Sequence, residues 1–339
     1  MHEISITVIK AAALLGATFG ILVPLSILVE RGWAALTTGR SDGGGGAGLL
    51  QTYADSLKLM SKESVVPADG DQRIFFLAPL VALAPPLILL GLIPFGGVLE
   101  VGGRAVSLQL ASPDAGTVMV VALIPLAAFG LIAAGWASGH GYAQIAALKT
   151  ATQVMAFAAA AGLAIAGVAL AGGSMQLAEI VRAQAQSHGL LPRWNLMVQP
   201  LGFVGLVAAM FAFADRLPLD SGRSQDMEGG YAAAYSGLPL GLLALAGRLR
   251  LLGASLLVAT LYLGGWHVPF VVVGEGVGWV LLGVGLLLAK AMLFVVFTHW
   301  VRLVVPRPAK DQLVRWAWRI AIPLTALNIP LTAYMLVYR

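Results

Sequence analysis

The chain has 339 residues, of which 59% are hydrophobic and only 11% charged, with a mean hydropathy of +0.87; this lies far outside soluble domains and marks an integral membrane protein. Cysteine is absent, which removes disulfides, thiolate nucleophiles and iron–sulfur ligation from this chain, so any redox centre must belong to another subunit. The net charge of +5 is small for the length and reads as loop charge on a membrane protein, not as a nucleic-acid footprint.

No polar stretch is long enough to bury a core of its own, so residues 1–339 read as one membrane domain. Glu3 and Lys10 precede a long apolar run without a small-residue cleavage site, which predicts a retained first helix. A helix rising about 1.5 Å per residue needs about 20 apolar residues to cross the bilayer core. Eight such runs occur, at 5–29, 73–94, 115–135, 151–172, 196–214, 239–263, 277–299 and 317–338. The expected fold is an all-α integral membrane protein with eight transmembrane helices and a short amphipathic helix in the first cytoplasmic loop; strands would be shorter and alternating.

Fifteen of the 21 Lys and Arg residues fall on the side of the odd-numbered loops, four lie opposite, and Lys10 and Lys290 sit inside spans. The positive-inside rule therefore puts the odd-numbered loops in the cytoplasm. The first of these opens with Glu30-Arg31, passes Gly43-Gly44-Gly45-Gly46 and reaches a segment whose apolar residues 49, 50, 53, 57 and 60 share one helical face, away from Asp55, Lys58 and Lys62. It reads either as a helix at the membrane interface or as a surface helix packed under a loop. Pro85-Pro86 is expected to kink the second span, and Met175–Arg182 forms another amphipathic piece on the opposite side.

The strongest polar feature is Asp215–Tyr231, with six formal charges (Asp215, Arg216, Asp220, Arg223, Asp226 and Glu228) between two apolar runs. Hydrocarbon cannot hold them, so they face water, a partner or a polar cavity. Lys290, near the middle of the seventh span, costs several kcal/mol if it faces lipid. It is either a titrating or charge-pairing group in a polar path, or a snorkelling or silently paired one. Trp300–Arg315 carries four positive charges; it is a topology signal and, with the acidic residues of 215–238, a mixed-charge surface able to dock a soluble partner. The five histidines, His2, His140, His188, His267 and His299, offer no pair at metal-ligand spacing, and the glycine runs lack a phosphate-binding context. Matching halves of the kind a stand-alone secondary transporter needs are not visible.

Taken in order, several segments resemble the H subunit (subunit 1) family of respiratory complex I, the proton-pumping NADH:quinone oxidoreductase. They are Glu30-Arg31, Gly48-Leu49-Leu50-Gln51, Ala54-Asp55-Ser56-Leu57-Lys58-Leu59, Lys62-Glu63, Leu77-Ala78-Pro79, Ile93-Pro94-Phe95-Gly96, and Gly135-Trp136-Ala137-Ser138 with Tyr142. Further along come Gln199-Pro200-Leu201-Gly202-Phe203, Arg216-Leu217-Pro218-Leu219-Asp220, Tyr235-Ser236-Gly237, Leu263-Gly264-Gly265-Trp266, Lys290, Trp300-Val301-Arg302, Pro306-Arg307 and Asp311-Gln312-Leu313. The resemblance covers nearly the whole chain and implies a bacterial inner-membrane subunit joining the two arms of the enzyme. Such a subunit forms much of the quinone chamber and couples quinone reduction to proton translocation. Quinone is then a substrate, with flavin and iron–sulfur clusters held by other subunits.

Carried over residue by residue, Glu30, Arg31, Arg216, Asp220, Asp226, Glu228, Tyr231, Tyr235, Lys290 and Arg302 belong to the chamber and its coupling. Asp55, Lys58, Lys62, Glu63, Arg307, Lys310 and Asp311 would dock peripheral-arm and small membrane-arm subunits. Departures mark a divergent member: positions where the family carries glutamates are Ala158, Phe213 and Ala234, the acidic run is reduced to Asp226 and Glu228, and Gly39–Gly44 replaces a longer arginine-and-asparagine segment. These losses motivate a second reading, a membrane anchor in a hydrogenase- or ferredoxin-linked complex or a paralogue without quinone chemistry.

Overall fold

A computed structural model describes residues 2–38, 47–101, 104–185, 187–188, 191–220, 230–267, 276–306, 308 and 310–337. The first helix, α1 (His2–Ala17), passes through a π-helical turn (Thr18–Leu22) into α2 (Val23–Thr38). It therefore does not end at residue 29 as expected, because nothing between Val29 and Thr38 breaks a helix except the tolerated Gly32, and Glu30 and Arg31 are helical. The amphipathic helix α3 (Ala47–Ser61) follows. Its apolar Tyr53, Leu57 and Met60 are exposed while Tyr53 Oη donates to the Gly20 carbonyl at 3.1 Å, so it lies against the first helix with a bare apolar side.

Helix α4 (Gln72–Leu92) is capped by Asp71, whose carboxylate accepts from the Arg73 and Ile74 amides, and runs continuously through Pro79, Pro85 and Pro86. Then come the hairpin β1 (Val98–Val101) and β2 (Arg104–Ser107), α5 (Gly116–Ala137), and α6 (Gly141–Gly172), which starts ten residues before the expected span. Next are α7 (Leu177–Gln184), the short pair β3 (Ser187–His188) and β4 (Leu191–Pro192), α8 (Asn195–Val198), α9 (Pro200–Phe213), α10 (Gly237–Tyr262), α11 (Val277–Val304) and α12 (Lys310–Trp316). Helix α12 continues through a second π-turn (Ala317–Ala321) into α13 (Ile322–Val337). The expected loop 300–316 is thus mostly helix ends, interrupted only around Pro306 and Pro308.

The chain is an all-α membrane protein. Among the described residues seven helices are long and apolar enough to cross a membrane. The fifth expected span appears instead as the apolar but shorter α9, at 14 residues about 21 Å long against a hydrocarbon core of about 30 Å. The two small hairpins were not anticipated; Gly102-Gly103 between β-branched residues was the available signal for the first.

Loops gather at two ends. At one, rich in Lys and Arg, Val65 N donates to Ser236 Oγ at 3.0 Å and Gln153 Nε2 to the Leu219 carbonyl. At the other, Lys10 Nζ donates to Ser107 Oγ at 3.3 Å and Gln176 Nε2 to Asp114 at 2.8 Å.

Association of helices inside lipid draws little from hydrophobicity and relies on close approach of small residues. Gly130 of α5 sits directly on the backbone of Ala82 in α4, Gly135 on Ala143 and Ala147 of α6, and Gly205 of α9 on Thr325 of α13. Helix α10 is the most enclosed, with 78% of its apolar window buried, against 22% for the first and last spans. Most side chains of α10 therefore meet protein.

Gly130→Val will force α4 and α5 apart, because the obstructing atoms are backbone and cannot rotate away. The cost should exceed the ~1–3 kcal/mol typical of overpacking, read as a lower midpoint of thermal aggregation and less assembled protein in detergent extracts.

Candidate functional site

The site is centred on Glu30, two turns into α2 and the first residue beyond the span expected to end at 29. Its carboxylate, with a side chain 10% exposed, accepts from Arg216 Nη2 at 3.2 Å and closely from Arg248 Nη1, while His299 Nε2 stands 3.9 Å away. Four elements supply these groups: α2, the turn after α9, α10 and α11. His299 Nδ1 lies 2.9 Å from the Val295 carbonyl, which turns the other ring nitrogen toward Glu30; that contact becomes an ion pair only with a protonated imidazole. One carboxylate thus faces two guanidiniums.

Arg216 is delivered by the way α9 ends. Asp215 adopts the left-handed conformation (φ 51°), its amide donating to the Ala212 carbonyl and that of Arg216 to Phe211. That is a Schellman-type cap with aspartate where glycine is usual, and short polar side chains tolerate that conformation best. The Asp215 carboxylate, 3% exposed as a residue, accepts from Tyr231 Oη at 3.2 Å, and Tyr231 Oη in turn accepts from Arg250 Nη2 at 3.3 Å. Arg250 is only 2% exposed. Residues two apart on a helix point about 200° apart, so Arg248 and Arg250 send α10's two charges to opposite flanks, one to Glu30 and one to Tyr231 and Asp215.

The remaining expected residues separate into groups. Arg31 does not join Glu30; it reaches Asp55 on α3 at 3.9 Å, both about half exposed, because neighbours on a helix cannot face the same way. Tyr235 is buried, stacks on Phe75 at 4.1 Å and donates to the Ala134 carbonyl, and burial pushes its phenol above the usual range. It therefore acts as a protonated strut. Asp220 is half-buried at the end of the turn, and Arg302 is exposed on the last turn of α11.

Lys290 pairs with no carboxylate among the described contacts. Its Nζ donates to the carbonyls of Leu263, Gly265 and His267 at 2.7–2.8 Å and lies 4.7 Å from the Trp194 ring centroid. Burial, with Lys290 and Arg182 nearby, holds the His267 imidazole below its usual range.

Asp226, Glu228 and Arg307 lie outside the described residues, as do the side chains of Lys310 and Asp311, which open α12. Asp55, Lys58, Lys62 and Glu63 are exposed at the Lys- and Arg-rich end. There a cleft of about 590 Å³ separates Lys62–Pro67 from Ala233–Ser236. Ala158 and Phe213 are packed in the core, and Ala234 lines that cleft. Sequence reasoning missed Arg248, Arg250 and His299. Two arginines inside the apolar run 239–263 carried the same cost signal as Lys290 but were counted only as topology charges.

Arg250→Met leaves the Asp215 carboxylate buried with its indirect cationic support gone. Removing one member of a buried charged network costs about 3–5 kcal/mol, so the variant should show markedly less assembled protein on native gels, whereas exposed Arg302→Met should not.

A sequence model of the family described as NADH dehydrogenase matches residues 9–333. Among curated proteins, the NADH-quinone oxidoreductase H subunit of Thermomicrobium roseum is 37% identical over 290 residues, 84% of this chain and 82% of its own. The Protochlamydia amoebophila protein of the same name is 35% identical over 85% of this chain and 84% of its own, and that of Brevibacillus brevis 33% identical over 98% and 94%. With a family model spanning nearly the whole sequence and relatives of this similarity aligned along it, the chain belongs to the NADH dehydrogenase family of multi-pass membrane proteins.

Proposed function

We propose that the chain is the membrane-arm subunit of a complex I-type NADH:quinone oxidoreductase. In this role it forms the quinone chamber at the junction of the two arms and couples quinone reduction to proton translocation. The observation that carries this is the Glu30 centre: a carboxylate shielded from water, with cationic groups converging on it from the turn after α9, from α10 and from α11. The names of the relatives favour this reading over a hydrogenase-linked anchor.

Electrons arrive from centres in partner subunits, since a chain without cysteine ligates no iron–sulfur cluster. Its own residues position and stabilise. The guanidiniums held beside Glu30 favour the negative charge that develops on a quinone oxygen as it is reduced, and they do so in a medium of low dielectric where such a field is strong. Apolar helix faces hold the isoprenoid tail. Asp220, Arg302, Tyr231 and the segment with Asp226 and Glu228 complete the polar mouth. Asp55, Lys58, Lys62 and Glu63, with Arg307, Lys310 and Asp311, form the surface on which peripheral-arm subunits seat, and the outer spans pack against small membrane-arm subunits and lipid.

The test separates quinone chemistry from upstream electron transfer in the purified complex. Glu30→Gln keeps the shape and removes the charge. Because it releases Arg216 and Arg248 from the carboxylate that positions them, it should lower NADH:quinone turnover by about tenfold or more. Reduction of a hydrophilic artificial acceptor by the flavin-bearing subunits should stay at the wild-type rate. Equal loss of both activities, or of neither, would sink the proposal.

A further inference from the structure

Helix α10 ends inside the bundle, opposite the middle of α11. The last carbonyls of a helix have no intrahelical donors, and in hydrocarbon water cannot replace them. Here they are met individually: the Thr260 carbonyl by Gln184 Nε2 at 3.0 Å, Leu261 by Asn195 Nδ2 at 2.7 Å, and Ala259 by the Gly265 amide at 2.9 Å. Three further carbonyls, those of Leu263, Gly265 and His267, converge on Lys290 Nζ at 2.7, 2.8 and 2.7 Å.

That convergence requires left-handed backbone at Gly264 (φ 72°) and Gly265 (φ 55°), and a side chain at either would run into Trp194 or Val181. An ammonium has three N–H donors and no acceptor, so all of its hydrogen-bonding capacity is used. The negative end of the α10 dipole adds to the attraction, and the Trp194 face closes the nest.

Lys290 belongs to α11 and the nest to the end of α10. The same two helices carry His299 and Arg248, both turned toward Glu30. We propose that Lys290 is a positioning residue: a tethered ammonium that fills the carbonyl nest at the end of α10, locks α10 in register with α11, and so holds Arg248 and His299 together on Glu30. The contacts alone carry the register claim; only its consequence for turnover rests on the function proposed above.

The chain has no native cysteine, so spin labels placed through Ala244→Cys on α10 and Leu293→Cys on α11, both exposed positions, can be read in the assembled complex against the same complex labelled without these two cysteines. Lys290→Met should shift or broaden the distance distribution between the labels. Misplacement of this kind should also lower quinone-dependent turnover by about tenfold or more. Lys290→Arg retains a permanent cation that cannot exchange a proton; wherever it restores the distance it should restore turnover. Gln184→Leu, which releases the Thr260 carbonyl at the same helix end, should move both readouts in the direction of Lys290→Met. Turnover lost with unchanged distances in Lys290→Met and Lys290→Arg alike would overturn the proposal in favour of proton exchange at Lys290. A shifted distance with wild-type turnover would overturn the link to Glu30. Should no quinone-dependent turnover be found even in the parent complex, the function proposed above fails, and the distances still decide the register claim.

Discussion

A charge inside hydrocarbon must be met by an opposite charge or by backbone dipoles, and this requirement organises the bundle around α10. The helix carries Arg248 and Arg250 toward its Lys- and Arg-rich end and exposes its terminal carbonyls at the other. Each need is answered from a different element: Glu30 on α2, Tyr231 and Asp215 beyond α9, Gln184 on α7, Asn195 on α8, Lys290 on α11. A helix whose polar groups are satisfied only by its neighbours cannot slide or turn without exposing one of them, so the polar contacts set register where small-residue packing sets distance. Burial of α10 and conversion of its charges into specific contacts are two aspects of the same arrangement.

The balance of charge then gives the Glu30 centre its character. The described contacts gather two guanidiniums, Arg216 and Arg248, and the imidazole of His299 on the one buried carboxylate of Glu30. The arginines remain charged at all accessible pH values, so the field beside Glu30 is held by fixed cations.

Much of this was legible in the residues. Hydropathy located the apolar runs, amphipathic spacing found α3 and α7, and the polar island after residue 214 holds Arg216, which the structure brings to Glu30. The misreadings share a cause. Helix ends were placed where apolarity ends, yet α2, α6 and α12 continue into polar sequence until glycine or proline stops them. Glu30 therefore sits on a rigid helix, and Arg31 faces away from it. Span α9 came out short because its carboxyl end is fixed by the Asp215 cap and its amino end by the break at Gln199. Both are local backbone events that a sliding average cannot see. Lys290 was recognised as costly, but its partners are carbonyl oxygens, which every residue possesses and no sequence pattern reveals. Only the paired glycines 264 and 265 hinted that the backbone itself would do the binding.

The apolar residues at Ala158, Phe213 and Ala234 fit the same logic. A carboxylate at Ala158 or Phe213 would lie among buried side chains, Phe213 itself being 1% exposed, and would need a cation of its own. The two arginines of α10 are already committed, one to Glu30 and the other through Tyr231 to Asp215, the residue two positions after Phe213. With the acidic group at Asp215, where the backbone caps α9, the carboxylate accepts from Tyr231, which in turn accepts from Arg250, whereas the side chain at 213 lies in the hydrophobic core. These apolar residues therefore leave the region around α10 with the carboxylates of Glu30 and Asp215 gathered beside its two arginines, and the remaining wall free to pack as hydrocarbon.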